Sequence, residues 1–158
     1  MKDRCASRIR NNFRPMKVKI VRIDKSLPLP EYKTAGAVAF DLYSREKATI
    51  PSAAIVMLPS NFIIQVPEGH FLMLASRSST FKKGLAFAGS IGIIDQDFHG
   101  PEDEFKITLR NFSNFPVTVE RGERIAQGIV IPILKPEWEE VDIIKETSRG
   151  GFGSTGSF

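Results

Sequence analysis

Apolar positions recur in short runs cut by proline, glycine and charged residues, and no stretch carries a long 3.6-residue period. Residues 17–23 alternate imperfectly and predict a strand. Across 48–66, branched-rich runs are broken by Pro51, Pro59 and Pro67. Phe71-Leu72-Met73-Leu74 reads as a buried strand after the turn Pro67-Glu68-Gly69. Phe105, Ile107 and Leu109 alternate with Lys106, Thr108 and Arg110, which predicts a half-buried strand. Residues 117–119 and 125–131 supply two more. Ile93 and Ile94 predict a buried strand, and the turn at His99-Gly100-Pro101 makes residues 89–100 read as a tight hairpin. The best helix candidate is short, residues 79–84, with Ser78 or Ser79 as N-cap and Gly84 as a stop. Many short strands with Pro/Gly punctuation define an all-β sandwich or barrel.

Two segments stand outside that pattern. Residues 1–15 have no periodicity and are expected to be disordered, with Met16 opening the domain proper. Residues 147–158 are glycine-rich, with one Arg, one Phe and several hydroxyls, and are expected to be a mobile tail. The domain between them spans 16–146. At 158 residues, 42% apolar and 25% charged, the chain has the composition of one soluble globular domain. No apolar run approaches a membrane span, and the first fifteen residues lack a signal-peptide core. Cys5 is the only cysteine, and His70 and His99 lie far apart. That argues against a zinc site and for a reducing, cytoplasmic setting. The formal charge of +4 lies wholly in residues 1–15, where five basic residues face Asp3; the remainder balances at 17 and 17. The folded part therefore lacks the basic excess of a nucleic-acid binder, and no nucleic-acid partner is expected.

Five places carry candidate chemistry. Asp95 leaves an apolar strand, where desolvation and a fixed backbone suit a general base; Asp95 and Asp97 also fit ordinary turn positions. Asp41 lies in an apolar strand after the small residues 35–39, which allow close backbone packing. It either faces a sheet edge or has a function. Arg77-Ser78-Ser79 sits at the helix start, where a guanidinium, hydroxyls and amides suit an anion, although serine caps are common. Gln127 interrupts an apolar run, as a structural bridge or a ligand donor. The C-terminal Gly-rich segment combines phosphate-binding chemistry with the composition of a linker.

Taken in order, five segments resemble the motifs of the trimeric deoxyuridine triphosphate nucleotidohydrolases, the dUTPases: 35–43, 77–79, 92–100, 121–127 and 149–156. The likeness runs from about Met16 to the C-terminus. It implies a jelly-roll-like distorted β-barrel and a homotrimer with shared active sites. It also implies Mg²⁺-dependent hydrolysis of dUTP to dUMP and pyrophosphate. By the match, Asp95 is the base that activates water, and Phe98 packs on the deoxyribose. Groups around Ser90, Gly92, Ile93 and Ile94 read the uracil. Arg77, Ser78, Ser79 and Gln127 hold phosphate, and Lys106 joins the substrate-binding set. Asp41 meets magnesium through water. Arg149, Phe152, Gly153, Ser154 and Thr155 close over the substrate from another subunit.

The chain departs from the family pattern at four points. Phe98 replaces the usual tyrosine, Pro101 to Glu104 lengthen the loop after the third motif, and Ser79 stands where glycine is frequent. The spacing from Arg149 to Phe152 is also short. Three rivals are a dCTP deaminase of the same fold, a non-enzymatic trimeric binding protein, and a nucleic-acid module worked by the basic tail. The deaminase would need a glutamate base; residues 93–97 offer Asp95 instead.

Overall fold

Turn residues divide the chain into short β-strands joined largely by tight connections. The computed structural model describes residues 16–145, 147, 148 and 150. In chain order these form β1 (Lys19–Arg22), β2 (Phe40–Tyr43), β3 (Ala48–Ile50), β4 (Ile55–Pro59), β5 (Phe62–Gln65) and β6 (His70–Ser76). The helix α1 (Ser78–Lys82) follows, then β7 (Leu85–Phe87), β8 (Ile91–Ile94), β9 (Lys106–Asn111), β10 (Val117–Val119) and β11 (Arg124–Pro132). All pairings are antiparallel. A four-stranded sheet has the order β2-β11-β6-β8 and a three-stranded one β4-β9-β7; β1-β5 and β3-β10 form two smaller pairs. This is the expected all-β, jelly-roll-like architecture with one short helix.

The two larger sheets share one core. Leu72 and Leu74 of β6 meet a cluster that includes Leu58, Leu85, Ile107 and Leu109 of the other sheet, with Phe62 and Phe105 fully enclosed. Each such side chain contributes roughly 1.5–3 kcal/mol of burial. Close packing also explains Gly128: a Cβ there would lie 2.6 Å from the Phe40 ring. Gly84 has φ +83° and stops α1, and its Cα faces Ser113 so closely that a Cβ would sit 2.8 Å from that side chain.

Five local expectations are corrected. Residues 89–100 do not form a hairpin. β8 pairs with β6, and the chain then crosses to β9 in the other large sheet. β8 is not buried either: Ile93 is 59% and Ile91 48% exposed, because β8 is an edge strand with only one face on the core. β6 likewise buries only alternate residues. The small residues 35–39 form an exposed turn in which a Cβ on Gly36 would touch nothing within 4 Å. Neither serine caps α1; the N-cap position is Arg77, in extended conformation and without a side-chain cap bond.

Candidate active site

Strand register brings three of the candidate segments together. Asp41 of β2 is the cross-strand partner of Gln127 in β11, and Gln127 is the partner of Ala75 in β6. Arg77 follows β6 directly. Its Nε lies 2.8 Å from Asp41 Oδ1, and Arg124 Nη1 lies 2.9 Å from Asp41 Oδ2. Arg77 Nη1 also donates to the Arg124 carbonyl at 2.9 Å. The Asp41 carboxylate, 8% exposed, is thus a counter-ion that holds two guanidinium groups side by side. Asp41 lies on β2, an edge strand of the four-stranded sheet, and is buried there against the two arginines. Gln127 Nε2 donates to the Ser76 carbonyl at 3.0 Å, which makes it a bridge between β11 and the end of β6. Its amide nitrogen has a second N–H to offer a ligand. Ser78 and Ser79 are exposed at the start of α1, and Thr80 Oγ1 ties that helix to the Ile125 carbonyl at 2.9 Å. Two arginines against one carboxylate leave a net positive cluster rimmed by hydroxyls, suited to an anion.

Arg124 was not among the residues singled out from sequence. It sits in the same segment as Gln127, but only the register of β11 against β2 reveals that it converges with Arg77 on Asp41.

Asp95 lies elsewhere. Ile94 is opposite Leu72, and Ile91 is opposite Ala75. Asp95 therefore follows the end of β8 beside position 71, six positions along β6 from Arg77. At about 3.3 Å per residue the separation is about 20 Å. Asp95 and Asp97 are exposed, and Phe98 is 39% exposed, so the apolar enclosure expected around Asp95 is not formed within one chain. The start of β8 is shaped by Gly89 and Ser90 in succession at φ +99° and +73°. A serine in the left-handed region costs about 1–3 kcal/mol and is typical of functional turns. Gly92 presses on Leu74, with a built Cβ only 3.2 Å away, and among the described residues the outer edge of β8 carries no strand. Lys106, at the start of β9, is engaged by Glu104 at 3.3 Å. Arg149, Phe152, Gly153, Ser154 and Thr155 lie outside the described residues, as does the segment 1–15.

Among the described residues no group of three or more His, Cys, Asp or Glu side chains could hold a metal ion directly. A recess of about 280 Å³ lined by Met16, Ile20, Leu29, Tyr32, Phe40 and Val130 is apolar and contains none of the candidate residues.

An all-β jelly-roll-like fold with a guanidinium–hydroxyl–amide cluster at one end of a sheet and Asp95 at the other suits a phosphorylated ligand. The model of the dUTPase family matches residues 25–156, and the chain belongs to that family. A deoxyuridine 5'-triphosphate nucleotidohydrolase of Dictyoglomus turgidum is 40% identical over 148 residues, covering 89% of this chain and 99% of that protein. The crystal structure of dUTPase from Streptococcus mutans aligns with a TM-score of 0.70 at 32% identity, over 78% of this chain and all of that one. The Staphylococcus bacteriophage 80alpha dUTPase with dUPNHPP shares the fold with a TM-score of 0.78 at 23% identity, over 89% and 98% of the two chains.

Proposed function

We propose that this chain hydrolyses dUTP at a site assembled between copies, with the triphosphate on one copy and the base on the next. The reaction, dUTP to dUMP and pyrophosphate in nucleotide metabolism, follows from family membership. The observation that carries the assembly is the separation of about 20 Å between Asp95 and Arg77. One chain cannot place both on the reacting end of one nucleotide.

The outer face of the four-stranded sheet supports the same reading. Leu72 and Leu74 point into the core, so Phe71, Met73 and Ala75 point outward. Register sets Met73 between Ile129 and Ile93. This apolar face has the Asp41–Arg77–Gln127 cluster at one end and Asp95 at the other. Contacts that join one copy's Arg77 end to the next copy's Asp95 end are head-to-tail, and a closing rotation turns them into a ring; the family resemblance makes that ring a homotrimer.

In such a site Arg77, Ser78, Ser79 and Gln127 hold phosphate oxygens, with Arg124 beside them. Asp95 takes a proton from water; the water oxygen bonds to the α-phosphorus, the bridge to the β-phosphate breaks, and pyrophosphate leaves. Phe98 packs on the sugar, and backbone groups at Ser90, Gly92, Ile93 and Ile94 read the base. Arg149, Phe152, Gly153, Ser154 and Thr155 close over it. Positioning and charge neutralisation dominate such chemistry. Each Asp41 oxygen accepts from one arginine and keeps a second lone pair. That fits a carboxylate touching a hydrated magnesium through water, with Mg²⁺ held by phosphate oxygens. The metal would supply charge neutralisation on the leaving group. A cytoplasmic setting suits the substrate and the single cysteine; among the described residues no helix is long and apolar enough to cross a membrane.

Mixing variants tests the reading. Asp95→Asn and Arg77→Ala proteins are each expected to be folded and nearly inactive. Unfolded together in equal amounts and refolded, they are expected to recover about one quarter of wild-type pyrophosphate release, by random assortment in a ring. Recovery of none would place both residues in one chain's site and refute the shared arrangement.

A further inference from the structure

The segment from Asp95 to Glu104 joins β8 to β9 and so crosses from one large sheet to the other. Its internal bonds are local. Phe98 N donates to the Asp95 carbonyl at 3.4 Å, His99 N to Asp97 at 3.1 Å, and Gly100 N to Asp103 Oδ2 at 2.6 Å. Among the described residues, its side-chain hydrogen bonds reach the rest of the fold at two points. Gly69 N donates to Gln96 Oε1 at 3.2 Å, one residue after Asp95. At the far end Glu104 turns inward, 8% exposed. Its Oε1 accepts from Arg45 Nε at 3.0 Å and from the Asn61 backbone N–H at 2.8 Å. Its Oε2 accepts from Arg45 Nη2 at 3.0 Å and Lys106 Nζ at 3.3 Å. Asn61 holds that N–H in place with φ +76°, an unusual conformation for a non-glycine residue. The bidentate fork fixes direction as well as distance.

We propose that Gln96 and the Arg45–Glu104 pair form a two-ended clamp that sets where Asp95 and Phe98 stand, and that Glu104 is a positioning residue for turnover. The inference rests on the reading of Asp95 as the base. The loop between the clamps is exposed and lacks a core of its own, so its course follows from its ends. A base must lie within hydrogen-bond reach of the water it deprotonates, and an error of about 1 Å costs about 10²-fold. The extra turn at Pro101 to Glu104 lengthens the span that the clamp must control.

The test compares wild type, Glu104→Gln, Gln96→Ala and Asp95→Asn as full-length proteins, with kcat and KM for dUTP and thermal unfolding for each. Both clamp variants are expected to lose kcat by about tenfold or more, with KM changed less than kcat because Arg77, Ser78, Ser79 and Gln127 are untouched. A merely structural Glu104 would lower the unfolding temperature and leave kcat per folded site unchanged; that result overturns the proposal. If Glu104→Gln does not fold, Gln96→Ala decides, and a normal kcat there overturns it. Turnover by Asp95→Asn would overturn the base assignment and this inference with it. A dead Asp95→Asn beside normal clamp variants overturns this inference alone.

Discussion

Single residues carry most of the charge logic. Asp41 and Glu104 are buried carboxylates, and each is matched by arginine rather than left alone. Burial pushes the Glu104 carboxyl upward, but the Arg45 hydrogen bonds, the Asn61 N–H and the charges of Arg45 and Lys106 outweigh it, and the group titrates below its ordinary 4.5. A carboxyl depressed in the folded state binds fewer protons there than in the unfolded chain. Its stabilisation is full above pH 4.5 and is lost as pH falls through the depressed value. Urea unfolding of wild type and Glu104→Gln is therefore expected to differ most near neutrality and to converge in acid; a gap that widens in acid would contradict this. Asp41, Arg77 and Gln127 were legible as candidates because each breaks the pattern around it. Arg124 was not, because an arginine at a strand start is unremarkable until register shows what it faces.

The elements were readable where alternation was clean. β9 buries Ile107 and Leu109 as its alternating residues predict. β8 was misread as half of a hairpin because a run of branched residues followed by Gly-Pro looks the same whether the chain returns to its neighbour or crosses to another sheet. Pairing of β8 with β6 depends on long-range contacts that local composition does not encode. β11 shows the opposite case, a strand whose glycine is dictated by packing. Gly128→Ala would drive a methyl into the Phe40 ring next to Gln127. The expected outcome is a loss of about 1–3 kcal/mol of stability in urea, with turnover per folded enzyme reduced because β11 shifts against β2. An unchanged midpoint would mean that Phe40 has room to move.

At the scale of the whole molecule, the core and the sheets follow from binary patterning, but the outer face of β11, β6 and β8 does not look complete in one chain. Met73, Ile93 and Ile129 lie together on it, on the side away from Leu72 and Leu74. In an isolated domain such a face is a liability. Met73→Asp is expected to leave a folded protein that sediments as a monomer and releases little pyrophosphate. A monomer with full activity would refute the shared site. The residues alone supplied the motifs; the sharing of sites between copies came only from the family resemblance, because linear order is silent about which copy a motif faces.

The length of β6 has a genetic consequence. Under the shared-site proposal its ends serve different neighbours, so a copy crippled at both Arg77 and Asp95 spoils two sites, one with each partner, and rescues neither. Expressed beside the normal form, such an allele would act as a poison rather than a passenger, and pyrophosphate output would fall faster than the share of normal chains.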